Sequence, residues 1–208
     1  MSNSKRSLTT REICLSAILI AIAFVISEFI PFIKLPYGGK LTYCSMLFVC
    51  LIGYFFGPKT GLIASLAYGL LQLIMGSSIV HPVQLILDYP LAYTCLGICG
   101  FFHNKKNGLA IGYILSVLGR YICHVISGIV FFGEYAEGNV IIYSLGYNLT
   151  YILPEAILSL LLIALLSNTF KRLKVSLLDT STVSKGNSNT VGEAEAGSNK
   201  SDENVNNK

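Results

Sequence analysis

The chain has 208 residues, of which 53% are hydrophobic and only 12% are charged, and its formal net charge is +4. Soluble domains carry about 25% charged residues, so this composition excludes an ordinary soluble core and predicts that lipid surrounds most of the chain. The basic residues stand in short clusters between apolar runs and form no continuous patch, which argues against nucleic-acid binding.

Six apolar runs approach the length of about 20 residues that a membrane-spanning helix needs. Basic residues precede the first run, but no small-residue cleavage site follows it, so we interpret it as a retained helix and not a signal peptide. The runs lack polar-apolar alternation, which favours helices over the strands of a barrel. We therefore predict an all-α, polytopic, six-helix membrane bundle. The predicted spans are 13–32, 41–57, 61–76, 82–102, 108–132 and 140–167.

Lysine and arginine concentrate on alternate flanks of these spans, which predicts the orientation because cytoplasmic loops are rich in basic residues. The opposite loops hold only Lys34 and Lys40. We expect both termini in the cytoplasm, residues 1–12 as a short N-terminal segment and residues 13–170 as the membrane domain. The polar segment 176–208 has too few apolar residues to order itself and is predicted to be a disordered cytoplasmic tail. The basic residues on the predicted cytoplasmic side are Lys5, Arg6, Arg11, Lys59, Lys105, Lys106, Lys171, Arg172 and Lys174.

Several polar side chains interrupt the apolar runs, and ionisable groups inside a membrane are candidates for a functional site. The candidates are Glu28, Gln72, Asp88, Arg120, His124, Asn148 and Glu155, with tyrosines 68, 89, 121, 143, 147 and 151. With the predicted orientation, most lie in the outer half of the bundle, which indicates a cup open to the exterior. An acid, a histidine, an asparagine and aromatic rings at one depth suit a small organic cation.

Each of these residues also has a structural interpretation. Arg120 could pair with Asp88 or with Glu155, and we prefer an ion pair between Arg120 and Glu155. His124 lies one turn after Arg120 and could be a satisfied structural histidine. The tyrosines 143, 147 and 151 recur every fourth residue and could form a packing seam. The six cysteines lie inside apolar runs without zinc-ligand spacing, so we expect packing roles and no metal.

Three stretches carry a resemblance to a known family. They are His81-Pro82-Val83-Gln84 leading to Leu87-Asp88-Tyr89-Pro90-Leu91-Ala92; Arg120-Tyr121-Ile122-Cys123-His124 leading to Gly128 and Phe131-Phe132-Gly133; and Tyr143-Ser144-Leu145-Gly146-Tyr147-Asn148. Over residues 10–170 the chain resembles the thiamine-specific substrate-binding (S) components of energy-coupling factor (ECF) vitamin transporters.

The resemblance implies a thiamine pocket open to the exterior. Asp88 and Tyr89 would correspond to the family's acid and tyrosine, with the acid hydrogen-bonded to the aminopyrimidine. His124 and Phe132 would flank the thiazolium with Gly128 leaving room between them. The sixth helix would complete the pocket through Tyr143 and Asn148. The family acid is commonly glutamate, whereas this chain has Asp88, which is one methylene shorter. The family has tryptophans at the Phe132 position and in the first outer loop, whereas this chain has no tryptophan. In that loop, which could act as a lid, the candidate contact is Tyr37.

The resemblance also implies partners. Ala17 and Ala21 lie one turn apart on the first helix, and small residues let another helix approach closely. In the family that helix belongs to a transmembrane coupling protein, which connects to two ATPase subunits; packing inside this bundle is the alternative.

We therefore expect a thiamine-binding subunit of an ECF-type ABC uptake transporter in the bacterial plasma membrane, with no enzymatic activity and no cofactor. The sequence has no phosphate-cradling GxxxxGK[ST] loop, so ATP hydrolysis would come from partners. The alternatives are an S component for another vitamin and a stand-alone, proton-coupled thiamine carrier. A membrane enzyme using Asp88 and His124 is disfavoured because no nucleophile or metal-ligand set is recognisable. A purely structural membrane protein is disfavoured because it leaves the buried polar cluster unexplained.

Overall fold

The computed structural model describes residues 8–30, 33–35, 39–75, 81–136 and 138–203, with side chains as far as Leu177. Helical segments dominate this part of the chain, and a short hairpin of strands β1 (Ile33–Lys34) and β2 (Lys40–Leu41) follows the first of them. The helices are α1 (Thr10–Phe29), α2 (Ser45–Phe56), α3 (Pro58–Met75), α4 (Pro82–Phe102), α5 (Gly108–Phe131) and α6 (Val140–Glu203).

Four helical stretches in the described residues are long and apolar enough to cross a membrane, namely α1, α4, α5 and the Val140–Leu177 part of α6. The prediction of a mostly helical chain with several membrane spans is confirmed. Helix α2 has 12 residues and is nearly enclosed by protein: Met46, Val49, Cys50 and Ile52 are each at most 1% exposed. The count of six spans and the cytoplasmic position of both termini stay predictions.

The start of α1 and the start of α2 differ from the predicted boundaries for local chemical reasons. A capping box begins α1 earlier than predicted: the Thr9 hydroxyl accepts a hydrogen bond from the Glu12 N–H (3.3 Å), and the Glu12 carboxylate accepts one from the Thr9 N–H (3.0 Å). The predicted second span began at residue 41, but Leu41 pairs with Ile33 in the hairpin. Cys44 then takes a left-handed conformation with φ 57°, and α2 begins at the next residue.

Helix α4 is irregular where it carries the predicted site residues. Its first turn (Pro82–Ile86) is α-helical, Leu87–Leu91 forms a wider π-helical turn and Cys95–Phe102 ends the helix as a 3₁₀ helix. Pro90 lies within the π-helical turn and has no N–H to donate. Such turns often occur at functional sites, and this one includes Asp88 and Tyr89.

Glycines allow helices α2 and α3 to pack closely against α4. A Cβ atom at Gly97 of α4 would lie 2.7 Å from the Leu62 Cα, and one at Gly53 of α2 would lie 2.8 Å from the Gly100 nitrogen. The backbones are therefore in direct contact, as small residues at helix interfaces permit. This packing accounts for the burial of α2.

The chain divides into a unit that ends at Leu165 and a second unit from Leu166 onward, which contains the remainder of α6. The backbone of α6 stays helical to Glu203, through most of the segment 176–208 for which the composition predicts a disordered tail. Side chains after residue 177 lie outside the described part of the structure. The disorder and cytoplasmic position of this segment stay predictions.

Glu155 is buried in α6 and joins this helix to the start of α2. Its carboxylate accepts hydrogen bonds from the Thr42 hydroxyl (2.7 Å), the Ser45 hydroxyl (2.9 Å) and the Met46 N–H (3.0 Å). The preferred sequence interpretation, an ion pair between Glu155 and Arg120, is wrong: among the contacts of the described residues, Arg120 bonds to other side chains. Helix spacing placed Glu155 at a suitable depth but gave no sign of the donors beside α2.

Replacing Glu155 by glutamine should therefore destabilise the fold. Glutamine keeps one acceptor oxygen but brings an NH₂ group to donors that need an acceptor, so we expect a loss of about 1–2 kcal/mol of unfolding free energy. Thermal unfolding of purified protein in detergent measures the effect. Glu134→Gln is the matched control because Glu134 is exposed; equal melting temperatures for both variants would contradict the assigned role of Glu155.

Candidate ligand-binding cavity

One cavity of about 100 Å³ collects side chains from all six helices and from the hairpin. A water molecule needs roughly 10–15 Å³ of such space, so the cavity has room for a small organic molecule. The lining residues are Ser27, Gly39, Lys40, Thr42, Ser45, Gln72, Gln84, Asp88, Tyr89, Tyr93, Arg120, His124, Ser127, Gly128, Phe132, Tyr143, Ser144, Tyr147, Asn148 and Tyr151.

The cavity brings together the predicted site residues that the structure describes. These are Asp88, Tyr89, His124, Gly128, Phe132, Tyr143 and Asn148. The remaining candidate of the predicted pocket, Tyr37, lies outside the described residues. The juxtaposition of an acid, an imidazole, a carboxamide and aromatic rings from α4, α5 and α6 therefore exists, and the binding role of each residue stays a prediction.

Asp88 accepts hydrogen bonds from side chains on two helices. Its Oδ2 atom accepts from the Ser127 hydroxyl (2.8 Å) and from the Gln84 amide (3.0 Å), and its Oδ1 atom lies 3.1 Å from Nδ1 of His124. The Asp88 side chain is 14% exposed. The carboxylate is thus fixed in position by neighbours while part of it still faces the cavity.

His124 and Arg120 are joined on one face of α5. The Nε atom of Arg120 lies 3.2 Å from Nε2 of His124, and its Nη2 atom donates to the Tyr93 hydroxyl at 3.1 Å. The guanidinium carbon also lies 4.2 Å from the centre of the Tyr93 ring, which is a cation–π contact. Arg120 is therefore held by Tyr93 and by His124.

Asn148 is fixed by three contacts within α6 and one to α5. Its amide nitrogen donates to the Ser144 carbonyl (2.9 Å) and the His124 carbonyl (3.3 Å), and its oxygen accepts from the Tyr151 hydroxyl (2.6 Å). The Ser144 hydroxyl also lies 3.4 Å from this nitrogen. The carboxamide orientation is thereby set.

Gly128 allows the close approach of α5 and α6 at this level. A Cβ atom there would collide with the Ser144 hydroxyl oxygen and lie 3.1 Å from the Ser144 Cβ. The resemblance implied that Gly128 leaves room between His124 and Phe132. The structure adds a second reason for glycine, which is contact between the two helices.

Tyr143, Tyr147 and Tyr151 form a continuous aromatic row along α6. Tyr143 and Tyr147 are stacked with ring centres 6.2 Å apart, and Tyr147 meets Tyr151 edge to face at 5.9 Å. Tyr151 in turn contacts the His124 ring at 6.2 Å. The row packs as a seam, as the four-residue spacing suggested, and it also forms one wall of the cavity.

The hairpin β1–β2 is bonded to the helices around the cavity. The Lys40 ammonium contacts both carboxylate oxygens of Glu28 at 2.7 Å, and the Gly39 N–H donates to the Tyr147 hydroxyl at 3.2 Å. A Cβ atom on Gly39 would lie 2.8 Å from that hydroxyl oxygen. The hairpin therefore lies directly against the aromatic row.

Sequence reasoning missed several polar residues that line the cavity. Ser127 lies three residues after His124, and Gln84 lies four residues before Asp88. Helical spacing puts each on the same face as a predicted site residue, and this was the signal that could have identified them. Lys40 was assigned only to an outer loop, and Tyr93 carried no signal of its own. Among the described residues, no group of three or more histidine, cysteine, aspartate or glutamate side chains could hold a metal ion.

Comparison with known proteins places this chain in a family. Residues 13–175 match the family model described as "Thiamine transporter protein". The chain is 36% identical over 189 residues to the thiamine transporter ThiT of Bacillus subtilis, covering 83% of this chain and 97% of that protein. The ThiT of Lacticaseibacillus paracasei is 33% identical over 132 residues, covering 54% of this chain and 66% of that protein.

A solved structure of ThiT from Listeria monocytogenes shares the fold. It superposes with a TM-score of 0.67 at 24% identity, covering 79% of this chain and 97% of that one. The family match and the four apolar helices show a multi-pass membrane protein. The chain belongs to the thiamine transporter protein family, whose members are transporters and not enzymes.

Proposed function

We propose that this chain is the thiamine-binding membrane subunit, or S component, of an ECF-type uptake transporter in the bacterial plasma membrane. Thiamine is its transported ligand and occupies the cavity between the six helices and the hairpin. One observation carries the proposal: the carboxylate of Asp88 borders an aromatic-walled cavity, and its hydrogen bonds come from Gln84, His124 and Ser127. None of these is an always-charged cation.

The charges around the cavity favour a ligand with one positive charge. Lys40 is neutralised by Glu28 in a bidentate contact. Arg120 adds one positive charge. The buried Glu155 carboxylate adds one negative charge, and it lies next to the cavity because it bonds to the lining residues Thr42 and Ser45. With a neutral His124, the charge of Asp88 remains uncompensated. The thiazolium ring of thiamine carries the complementary charge.

The shape of thiamine agrees with the arrangement of polar and aromatic groups. The Asp88 carboxylate and the Asn148 side-chain oxygen can accept hydrogen bonds from the aminopyrimidine NH₂ group. Phe132 and the tyrosine row offer ring faces to the thiazolium. A cation gains most from aromatic faces where water is excluded. The hairpin is the candidate lid over the cavity, which we place at the exterior side of the membrane.

Titration of purified protein with thiamine tests the substrate. We expect tight, saturable binding that an analogue with a carbonyl oxygen in place of the aminopyrimidine NH₂ group matches poorly, because that oxygen would face the Asp88 carboxylate. Absence of thiamine binding up to high micromolar concentrations would refute the proposal. Uptake by vesicles that lack an ATPase and carry a proton gradient would favour the stand-alone carrier instead.

The proposed docking surface for the coupling protein lies on α1. Ala17 and Ala21 are both exposed. Ile18 (55% exposed) and Val25 (46% exposed), on the same helix, also point away from the bundle. Exposed small residues one turn apart permit close approach by a partner helix. This arrangement supports coupling to the ECF membrane protein and, through it, to two ATPase subunits.

Replacing both alanines by leucine should separate binding from transport. We expect the double variant Ala17→Leu, Ala21→Leu to bind thiamine normally when purified but to lose at least about 90% of ATP-dependent uptake in cells, since added side chains prevent close helix contact. The exposed Ala164 of α6 provides the control substitution Ala164→Leu. Normal uptake by the double variant would remove Ala17 and Ala21 from the docking surface.

A further inference from the structure

A line of hydrogen bonds connects Asp88, His124, Arg120 and Tyr93 along the wall of the cavity. Both ring nitrogens of His124 are engaged: Nδ1 lies 3.1 Å from the Asp88 Oδ1 atom, and Nε2 lies 3.2 Å from the Arg120 Nε atom. A guanidinium has only donors and stays protonated. The Nε2 atom must therefore accept the bond from Arg120, and the single proton of a neutral imidazole must sit on Nδ1 and point at Asp88.

Arg120 is rigidly placed for this contact. Its Nη2 atom donates to the Tyr93 hydroxyl at 3.1 Å, and its guanidinium carbon lies 4.2 Å from the centre of the Tyr93 ring. Both residues are 8% exposed, and Tyr93 is itself packed edge to face on the fully buried Tyr68 ring, with centres 5.2 Å apart. The Nε–H group is thus aimed at the histidine by buried neighbours.

We propose that Arg120 is a positioning residue that holds His124 as the neutral Nδ1–H tautomer and thereby keeps Asp88 available to a cationic ligand. The inference rests on the proposed function, because it treats Asp88 as the counter-charge of the thiazolium. It also defines how His124 meets the ligand. Since both nitrogens are occupied, the imidazole presents its ring face and edge to the cavity.

The surroundings of His124 explain why its protonation state depends on Arg120. From α4, Asp88 faces Nδ1; from α5, Arg120 faces Nε2; and from α6, Tyr151 contacts the ring while Asn148 bonds to the backbone carbonyl. Asp88 favours an imidazolium, whereas the guanidinium at Nε2 opposes one. An imidazolium would place a positive charge against Asp88 and cancel the attraction for a cation.

Nitrogen NMR of ¹⁵N-histidine-labelled protein without ligand tests the tautomer directly, with His124→Gln identifying the signal. We expect a protonated Nδ1 and an unprotonated Nε2 at neutral pH, because the Arg120 Nε–H group occupies the Nε2 lone pair. A proton on Nε2 at neutral pH would overturn the proposal. This measurement needs no thiamine, so its result is independent of whether thiamine is the ligand.

The pH dependence of thiamine binding tests the consequence. Arg120→Met removes the donor to Nε2, so His124 can take a second proton as the pH falls. Between about pH 7.5 and about pH 5.5 we expect the Kd of this variant to rise by a factor about ten times larger than the factor for the wild type. Arg120→Lys retains a donor-only cation and should restore a profile close to that of the wild type. Any pH dependence that comes from titration of thiamine itself appears equally in the wild type, which is therefore the reference. Equal weakening of Arg120→Met at every pH would show a merely structural role and overturn the proposal.

Discussion

Asp88→Asn should raise the Kd for thiamine at least about 100-fold, a loss of about 2.7 kcal/mol of binding free energy. Asparagine has nearly the same shape, but it removes the uncompensated negative charge of the cavity. Asparagine also places an NH₂ donor where one carboxylate oxygen now accepts, so Gln84 and Ser127 on one oxygen, or His124 on the other, lose their acceptor. Hydrogen bonds to a charged group are roughly twice as strong as neutral ones. Isothermal titration or quenching of intrinsic tyrosine fluorescence measures the change.

Asp88→Glu is the matched control because it keeps the charge and adds one methylene. The cavity should accept the longer side chain with repacking, and we expect affinity within about tenfold of the wild type. Melting temperatures without ligand show whether either variant is damaged as a fold. Unchanged thiamine affinity in a folded Asp88→Asn variant would remove this residue from the ligand site.

The helices were the part of the structure that the sequence predicted best. The predicted span 82–102 coincides with α4, because Pro82 starts a helix readily and the loop 103–107 ends the apolar run. The hairpin was not predicted, since strands of two residues show no alternation that could be recognised. The second span was predicted to start too early for the same reason: Leu41, which pairs in β2, was counted as helix.

The resemblance to thiamine-binding S components is confirmed at the level of the thiamine transporter family. Its site residues other than Tyr37, which lies outside the described part of the chain, line one cavity. The four-residue spacing of His124, Gly128 and Phe132 predicts one shared face of α5. The partner of Arg120 was not predicted correctly: the sequence offered Asp88 and Glu155 as partners, and Glu155 was preferred. The structure gives each acid its own donors and pairs the guanidinium with Tyr93 and His124.

The serines that line the cavity show a further limit of prediction from the sequence. Ser127 and Ser144 stand in apolar runs where serine is ordinary, because small polar residues are common at helix contacts in membranes. Only the fold shows that Ser127 donates to Asp88 and that Ser144 donates to the Val125 carbonyl at 2.9 Å. Both roles depend on which faces of α4, α5 and α6 meet, which single-helix periodicity does not specify.

That contact between α5 and α6 leads to the second large expected effect. Gly128→Leu should abolish the accumulation of folded, thiamine-binding protein, because even a Cβ atom at this position collides with the Ser144 hydroxyl oxygen and lies 3.5 Å from the Asn148 amide nitrogen. Gly128→Ala is the graded test, with an expected loss of about 1–3 kcal/mol of unfolding free energy from overpacking. Thermal unfolding in detergent and thiamine titration measure the two consequences together.

Two further variants distinguish overpacking at this contact from a general effect of replacing glycine in a helix. Ser144→Ala removes the nearest atom, so the double variant Gly128→Ala, Ser144→Ala should recover part of the stability that Gly128→Ala loses. Gly146→Ala, on α6 where a Cβ atom meets no other atom within 4 Å, should be neutral or stabilising by up to about 1 kcal/mol, because alanine favours a helix over glycine. If Gly128→Ala behaved like Gly146→Ala, α5 and α6 would have to lie farther apart than this cavity requires.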